Sequence, residues 1–369
     1  MRSIKDVKNL KGKKVLVRVD FNVITNNKVN DTFRILKTIP TLQYLMQKGA
    51  IVVLITHAGD DGKTSLKPVI RVLAKQKIKA LFVATKKIEN IKTILSHAKP
   101  GSVILLENIR QFEGEKKNDQ KFAKSLASLA DVYINDAFSV SHRKHATIVG
   151  IPKYLPSFAG LQLQKEVAEL SKVFKPKHPF LCIVGGAKFD TKLPLIKKYL
   201  QSADNIFIGG ALTNQVFKEY GFETGISLVE KKNFGLVDLI KNKKILLPTD
   251  VLAVSQKEKR NAIPDTIKKN ENMVDIGSDS VLFLIEKIKK AKFILWNGPL
   301  GKSPYLSATK KILEAVAQSK AVSIIGGGDT IEIISKYKME KKFTFVSTGG
   351  GATLTFLSER TLPGIEALK

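Results

Sequence analysis

Phe180-Leu-Cys-Ile-Val-Gly-Gly-Ala-Lys188 is an unbroken apolar run that ends in two glycines and a lysine. A short apolar run bounded by turn residues is typical of a strand buried on both faces, as in a parallel sheet. Glycine turns follow four later apolar runs in the same way, beginning at Gly209, Gly298, Gly326 and Gly349. Helical stretches separate these runs, and the alternation predicts the α/β class.

The first half of the chain alternates in the same manner, so both halves are predicted to be α/β. We predict strands at 14–19, 51–56, 81–84, 103–106 and 132–134, and then at 180–184, 205–208, 244–247, 292–296, 323–325 and 343–346. At 369 residues the chain exceeds what one hydrophobic core usually holds. Residues 161–173 have apolar residues at helical spacing before a proline-containing break. We therefore expect two α/β domains with parallel sheets, joined by this helix.

The composition is that of a globular protein: 43% of residues are hydrophobic and 26% are charged. The one cysteine, Cys182, lies in an apolar run, so we expect a buried structural thiol and no intrachain disulfide. The N-terminus lacks the apolar core of a signal peptide, and no apolar stretch approaches the ~20 residues of a membrane span. We therefore expect a cytoplasmic protein that does not insert into membranes.

The chain is strongly basic, with 62 lysines and arginines against 33 acidic residues and a net charge of +29. Such an excess can indicate nucleic-acid binding, because neutralised phosphates release counterions. Only eight of the basic residues are arginines, however, and the lysines are spread along the whole chain. Aromatic residues, at 7%, do not cluster with the lysines as a single-strand-binding surface requires. A lysine-rich solvated surface that attracts small anions is the favoured interpretation.

The glycine turns of the second half predict a nucleotide site. One such turn often only closes a tight connection, but ligands of open α/β sheets bind at the carboxyl ends of the strands, where glycine lets backbone N–H groups approach phosphate. The usual sequence motifs of phosphate-binding loops are nevertheless missing. Gly298-Pro-Leu-Gly-Lys-Ser303 has two residues between its glycines where a P-loop has four, and no Gly-x-Gly-x-x-Gly follows a strand. P-loop NTPases and dinucleotide dehydrogenases are therefore disfavoured.

The predicted strands of the first half end in polar and basic groups instead. Four of the eight arginines lie in these segments, namely Arg18, Arg34, Arg110 and Arg143, and His57 follows another strand. The planar guanidinium binds carboxylate and phosphate in a bidentate manner, so this placement favours an anionic substrate. Arginines that serve only in surface salt bridges are the alternative.

Eight short motifs follow one another between Val15 and Ile365. They are Val17-Arg-Val-Asp-Phe-Asn-Val23, Leu105-Leu-Glu-Asn-Ile-Arg110, Asn135-Asp-Ala-Phe138, His142-Arg-Lys-His145, Gly185-Gly-Ala-Lys188, Trp296-Asn-Gly-Pro299, Gly326-Gly-Gly-Asp-Thr330 and Ser347-Thr-Gly-Gly-Gly-Ala352. Each motif alone is weak. Together, and in this order, they resemble the signature set of the phosphoglycerate kinases.

The resemblance implies an enzyme that moves a phosphoryl group reversibly between 1,3-bisphosphoglycerate and ADP, giving 3-phosphoglycerate and ATP, in glycolysis and gluconeogenesis. It implies two Rossmann-like domains with a cleft between them, linked by the helix at 161–173. These are a 3-phosphoglycerate-binding domain at 1–160, to which a tail at 355–369 returns, and a nucleotide-binding domain at 174–354. A monomer that uses Mg-ATP or Mg-ADP, with no specific nucleic-acid partner, is expected. The domains are expected to close on a hinge, because ligands held apart cannot react and water must be expelled.

The resemblance also assigns residues to roles. One set would bind the acid: Asp20, Phe21, Asn22, Arg34, His57, Arg110 and Arg143. A second set would surround the nucleotide: Gly185, Lys188, Lys192, Gly209, Asn297, Pro299, Gly327, Gly328, Asp329 and Thr330. Asp329 would hold Mg²⁺. The transferring phosphoryl group spreads negative charge over its oxygens, and Arg34, Lys192 and Gly350 would stabilise that charge.

The chain departs from the family pattern at three positions. Asp60 stands where a substrate-binding arginine is usual, Pro304 where a ribose-binding glutamate is usual, and Ser139 where a glycine is usual. We expect these changes to alter affinities more than the reaction class, because the charged residues that would handle the phosphoryl group are present. The alternatives are an inactive kinase-like protein and a basic nucleic-acid-binding protein on a kinase-like scaffold.

Overall fold

The computed structural model describes all 369 residues, in which short strands alternate with helices. The strands are β1 (Lys14–Arg18), β2 (Ile24–Thr25), β3 (Lys28–Val29), β4 (Ile51–Ile55), β5 (Ala80–Val83), β6 (Val103–Leu106), β7 (Val132–Asn135), β8 (Ser157–Ala159), β9 (Phe180–Val184), β10 (Asn205–Ile208), β11 (Ile245–Leu246), β12 (Val251–Val254), β13 (Lys259–Ala262), β14 (Asn272–Ile276), β15 (Phe293–Asn297), β16 (Val322–Gly326) and β17 (Phe345–Val346). The helices are α1 (Phe33–Gln47), α2 (Val69–Lys75), α3 (Ile88–Ser96), α4 (Glu113–Lys117), α5 (Gln120–Ala127), α6 (Leu161–Ser171), α7 (Phe189–Tyr199), α8 (Ala211–Glu219), α9 (Leu236–Ile240), α10 (Ser278–Lys290), α11 (Ser307–Gln318), α12 (Gly328–Lys336), α13 (Gly351–Glu359) and α14 (Pro363–Glu366). None of them has both the length and the apolar character that crossing a membrane requires.

Two compact units make up the chain. Unit 1 comprises residues 1–168 and 359–369, and unit 2 comprises residues 169–358. Helix α6 runs across the boundary at residue 168. The C-terminal segment belongs to unit 1, where its apolar residues Leu362, Ile365 and Leu368 are buried. The backbone N–H of Gly364 donates to the carbonyl oxygen of Ser141 at 2.8 Å, which ties this segment to the loops that follow β7.

Unit 1 is built on a six-stranded sheet in the order β5-β6-β4-β1-β7-β8, with every pair parallel. The central strand β1 is buried along nearly its whole length, as expected for a parallel strand that is covered on both faces. Its register places Arg18 beside Ile55 of β4 and Asn135 of β7. The carboxyl ends of these three strands are therefore level with one another at one edge of the sheet.

Unit 2 carries a second parallel sheet, in the order β11-β10-β9-β15-β16-β17. The chain first adds β10 and β11 on one side of β9 and then adds β15, β16 and β17 on the other. This reversal of direction lies between β9 and β15, which pair Val184 with Asn297. In open α/β sheets ligands bind outside the carboxyl ends of the strands at such a point. The two parallel sheets confirm the predicted fold class.

Three features of the fold were not predicted by the apolar runs. Strand β8 extends the sheet of unit 1, β2 and β3 form a small hairpin, and β12 to β14 form an antiparallel sheet in the order β13-β12-β14. Strand β13 is mostly exposed and contains Lys259-Arg-Asn-Ala262, so it lacks the apolar run that marks a buried strand. It is held by pairing with β12, its neighbour in sequence.

Candidate active site

In unit 1 the charged strand ends meet because β6, β4, β1 and β7 are neighbours in the sheet. Arg18 is the last residue of β1, His57 follows β4, and Arg110 follows β6. Asn135 is the last residue of β7, and Arg143 lies in the loops beyond it. The structure thus brings together, at one edge, segments that are far apart in sequence, from Arg18 to Arg143.

Arg18 is 1% exposed, and it contacts the equally buried His57. One terminal nitrogen of its guanidinium lies 3.1 Å from Nδ1 of His57. Because a guanidinium can only donate, Nδ1 is the acceptor and the ring proton lies on Nε2. Burial, together with the charge of Arg18, lowers the pKa of His57 well below its ordinary value. His57 is therefore a neutral imidazole that offers an N–H donor at Nε2.

Arg18 is itself held by residues that the sequence did not mark. Its Nε donates to Oγ1 of Thr147 at 2.9 Å, and that hydroxyl donates to the carboxylate of Glu115 at 2.6 Å. The backbone N–H of Thr147 also donates to Glu115, at 2.9 Å. Burial raises the pKa of Glu115. Glu115 lies in the polar stretch of α4, where no sequence pattern indicates a fully buried carboxylate.

Asp20 lies just beyond β1 and organises the next part of the edge. Its carboxylate accepts hydrogen bonds from Arg34 at 3.0 Å, from the backbone N–H of Asn22 at 3.0 Å, and from the hydroxyl of Ser139. Burial alone would raise the pKa of Asp20, but Arg34 and these hydrogen bonds lower it far below its usual range. Asp20 is thus a permanent carboxylate that positions the guanidinium of Arg34, and the departure at Ser139 adds a donor to it.

The remaining residues of the predicted acid-binding set differ in burial and in their contacts. Phe21 is fully buried in the core of unit 1, so its side chain is not available to a ligand. Asn22 is exposed, and its side-chain oxygen accepts from the backbone N–H of Gly59 at 2.9 Å. Arg143 is half-buried, and its charge helps to lower the pKa of His57. The guanidinium of Arg110 makes an ion pair with Asp60.

In unit 2 the glycine turns after β9, β10 and β15 pack directly against one another. A Cβ on Gly185 would lie 2.7 Å from the carbonyl oxygen of Gly298, and a Cβ on Gly209 would overlap the side chain of Leu300. The backbone N–H of Gly186 donates to the carbonyl oxygen of Pro299 at 2.9 Å. Gly185 and Gly209 are therefore required by the contact between turns, whatever they contribute to a ligand.

Lys192 is buried on α7 and points toward the end of β15, where its ammonium donates to the side-chain oxygen of Asn297. Burial lowers the pKa of Lys192 to about 8, although the carboxylate of Asp329 opposes the shift. The side-chain nitrogen of Asn297 and the hydroxyl of Thr330 are buried without a hydrogen-bond partner. Buried polar atoms are nearly always paired, so these two are suited to a ligand.

The turn after β16 is the open part of this edge. Gly327, with a φ of +103°, leads into α12, and a Cβ on Gly328 would meet nothing within 4 Å. Asp329 is exposed in the first turn of the helix. Gly350, just before α13, likewise faces open space. The exposed Lys188 precedes α7. Backbone N–H groups, helix N-termini and lysines together suit an anion.

A metal could be held here only in part by the protein. No group of three or more histidine, cysteine, aspartate or glutamate residues is arranged to bind a metal ion. Asp329 stands as a single exposed carboxylate. Mg²⁺ is often bound through one or two carboxylates together with substrate phosphates and water, so a single carboxylate fits a metal that arrives with a nucleotide.

Comparison with known proteins decides the family. The family model described as phosphoglycerate kinase matches residues 4–360. The chain belongs to the phosphoglycerate kinase family. The phosphoglycerate kinase of Dictyoglomus turgidum is 42% identical, over an alignment that covers 98% of this chain and 96% of that protein. That of Pseudothermotoga lettingae is 40% identical, over an alignment that covers 99% of this chain and 98% of that protein.

Solved structures of phosphoglycerate kinases share the fold. The enzyme from Pyrococcus horikoshii superposes with a TM-score of 0.88 at 28% identity, covering 100% of this chain and 98% of that chain. The structure from Coxiella burnetii gives a TM-score of 0.82 at 32% identity, covering 99% of this chain and 98% of that chain. The chain is therefore an enzyme, a kinase of glycolysis, and phosphoglycerate kinase activity is favoured over the nucleic-acid-binding alternative.

Proposed function

We propose that the arginine-rich edge of unit 1 binds 3-phosphoglycerate or 1,3-bisphosphoglycerate, and that the glycine-rich edge of unit 2 binds Mg-ADP or Mg-ATP. This proposal rests on one observation, which is that the two sheet edges present different types of anion-binding group. The first consists of guanidinium groups and one neutral imidazole, which match a small acid with a phosphate. The second consists of glycine turns, lysines and unpaired buried donors, which match a chain of phosphates.

In the acid site, Arg34, Arg110 and Arg143 would pair with the carboxylate and phosphate of the substrate. His57 would donate from Nε2, and Asp20 would keep Arg34 in position. A neutral donor beside three cations adds a directed hydrogen bond without further charge repulsion. Asn22 and the backbone of Phe21 complete this set.

In the nucleotide site, Lys188, Lys192 and the turn at Gly327 and Gly328 would surround the phosphates. The unpaired atoms of Asn297 and Thr330 would find partners there. Asn297 and Pro299 would line the nucleotide pocket, and Asp329 would hold the Mg²⁺. When it is bound, the metal neutralises charge on the phosphate oxygens.

In the transfer itself, Arg34, Lys192 and the backbone N–H at Gly350 would stabilise the charge on the phosphoryl group in flight. The carboxyl oxygen of 3-phosphoglycerate attacks the γ-phosphorus of ATP, and ADP leaves with the bonding electron pair. Since the acid and the nucleotide are held by different units, transfer requires that they be brought together. Closure of the two units on a hinge would bring the ligands together, and it would also exclude water that would hydrolyse the acyl phosphate.

A coupled assay tests this function. The purified protein receives ATP, Mg²⁺ and 3-phosphoglycerate, and the formation of 1,3-bisphosphoglycerate is followed through its NADH-dependent reduction. We expect turnover that requires all three components and stops when EDTA removes the metal. Glycerate in place of 3-phosphoglycerate serves as the control, because it lacks the phosphate. Absence of turnover with a folded protein would support the inactive, kinase-like alternative.

A further inference from the structure

Arg110, one of the arginines of the proposed acid site, is paired with a carboxylate of its own chain. Its side chain is 2% exposed, and its guanidinium forms an ion pair with the carboxylate of Asp60. The same nitrogen donates to the carbonyl oxygen of Gly59 at 2.5 Å. The side chain of Asp60, by contrast, is 86% exposed. A buried cation is therefore paired with a carboxylate that is largely exposed to solvent.

The loop that carries Asp60 is fixed at both ends. The side-chain amide of Asn108 donates to the carbonyl oxygens of Ala58 at 2.6 Å and Thr64 at 2.9 Å. On the other side, Lys116 donates to the backbone carbonyl of Asp60 at 2.5 Å. The backbone is thus held in place. The carboxylate of Asp60 is tethered only by its own short side chain and can leave Arg110 by rotating into solvent.

We propose that Asp60 is a built-in competitor for the acid substrate: its carboxylate occupies the anion position at Arg110 and must be displaced when a phosphate or carboxylate of the substrate binds there. This inference rests on the proposed function of Arg110. A carboxylate and a substrate anion both seek the same guanidinium, which cannot pair fully with both. The apparent affinity for the acid is then reduced by the share of molecules in which Asp60 holds Arg110.

The size of the effect follows from the exposure of the pair. Exposed ion pairs are weak, and a partly buried one that uses a charge-assisted hydrogen bond is somewhat stronger. We expect the competitor to lower the affinity for the acid about fivefold. The affinity for the nucleotide should not change, because unit 2 carries the proposed nucleotide site.

Asp60→Asn and Asp61→Asn form the matched pair that tests the proposal. Both variants remove one negative charge from the same loop, but Asp61 accepts from the backbone N–H of Lys63 at 3.0 Å and forms no ion pair with Arg110. Calorimetric titration with 3-phosphoglycerate, and separately with inorganic phosphate, measures the dissociation constant. We expect Asp60→Asn to bind both probes about fivefold more tightly, and Asp61→Asn to match the unmodified chain. Equal gains in the two variants would show a general effect of charge and overturn the competitor.

Arg110→Ala tests whether Arg110 binds the acid at all, separately from the role of Asp60 as a competitor. If circular dichroism shows that the alanine variant is unfolded, Arg110→Lys takes its place. If removing the guanidinium weakens acid binding while Asp60→Asn gives no gain, the site is right and the competitor is wrong. If acid binding is unchanged without Arg110, the proposed role of Arg110 itself fails. In the double variant, the gain from Asp60→Asn should disappear, because no guanidinium is left to release.

Discussion

Lys192 shows how burial sets the chemistry of a single residue. Its ammonium is buried beside Asn297, and burial lowers its pKa to about 8. The residue is therefore charged near neutral pH but close to losing its proton. A lysine in this condition is attracted strongly to an incoming phosphate, because the phosphate replaces the solvation that burial has removed.

Lys192→Met should lower kcat by roughly 10²-fold or more, because a few kcal/mol of transition-state stabilisation are lost. In the unmodified enzyme, kcat/KM for ATP should fall as the pH rises above about 8, since the free enzyme then loses the positive charge. Lys192→Arg keeps its charge at every accessible pH, so its lower rate should not show this alkaline decline. Steady-state measurements of kcat/KM for ATP over a range of pH compare the unmodified enzyme with Lys192→Arg. An identical decline in the arginine variant would assign it to another group.

At the scale of elements, the connections after the strands divide into packed turns and open turns. Gly185 belongs to a packed turn, where a Cβ would lie 2.7 Å from the carbonyl oxygen of Gly298. Gly328 belongs to an open turn, where a Cβ would meet nothing within 4 Å. Both follow strands of the same sheet, and both were assigned to the nucleotide by resemblance. Packing nevertheless requires glycine only at Gly185, because a Cβ at Gly328 would meet no protein atom.

Gly185→Ala should therefore destabilise unit 2 by about 1–3 kcal/mol through overpacking. Gly328→Ala should leave the stability unchanged or raise it slightly, because alanine favours a helix more than glycine. The same change should raise KM for ATP, since the Cβ would occupy space that a phosphate needs. Trp296, the only tryptophan, lies in unit 2 and reports denaturant unfolding by its fluorescence. A Gly328→Ala enzyme with unaltered KM for ATP would remove this turn from the nucleotide site.

Helix α6 begins on a buried carboxylate. The side chain of Asp136 accepts from the backbone N–H groups of Gln162 at 2.9 Å and Leu163 at 3.3 Å. Burial nonetheless raises its pKa to about 7. In the folded state Asp136 thus holds a proton more tightly than in the unfolded chain. Its contribution to stability is complete at low pH, below the ordinary pKa of an aspartate, and is lost as the pH rises to about 7.

Asp136→Asn should flatten the fall in the free energy of unfolding between about pH 4 and pH 7, because asparagine cannot ionise and its oxygen can still accept the two hydrogen bonds. The part of this fall in the free energy of unfolding that the variant lacks should be on the order of a few kcal/mol. Denaturant unfolding followed by far-UV circular dichroism at several pH values measures it. Asp275 in unit 2 also has a pKa raised by burial to about 7, so a residual slope from that residue is expected. A variant with the full slope of the unmodified chain would contradict the assignment to Asp136.

Across the whole molecule, the basic residues are divided evenly between the two units, whereas the arginines are concentrated in unit 1. Lysines and arginines divide almost evenly, with 32 in unit 1 and 30 in unit 2, whereas seven of the eight arginines lie in unit 1. An even distribution of lysine raises the general attraction for anions. The uneven distribution of arginine agrees with a site in unit 1 that pairs with a small acid.

Weak and non-specific nucleic-acid binding should follow from this diffuse charge. On a heparin column the protein should elute by about 0.2 M salt, and duplex DNA should bind without saturation at physiological ionic strength. Fluorescence anisotropy with labelled DNA at several salt concentrations checks both points. Saturable, sequence-dependent binding at ~0.2 M salt would instead point to a dedicated nucleic-acid surface.

The sequence by itself determined the α/β class, most strands of the two parallel sheets and the family. It could do so because apolar runs report burial on both faces, and because the glycine turns and most of the site arginines follow such runs closely along the chain. It could not indicate the antiparallel sheet of β12 to β14, since the polar strand β13 depends on its partner strand. The resemblance assigns Gly185 and Gly209 to the nucleotide, and that assignment stays a prediction. Only the structure showed that contact between neighbouring turns also requires glycine at both positions.

Only the tertiary structure decided which polar groups meet. Glu115 lies behind Thr147 and Arg18, and Asp60 lies on Arg110, 50 residues away in sequence. Such pairs depend on the order of the strands in the sheet and on the path of each loop, which no local pattern encodes. The same holds for the titration of His57, whose proton is placed by a guanidinium from a neighbouring strand. The protonation and pairing of a side chain at the edge of a sheet depend on the residues that the fold places beside it.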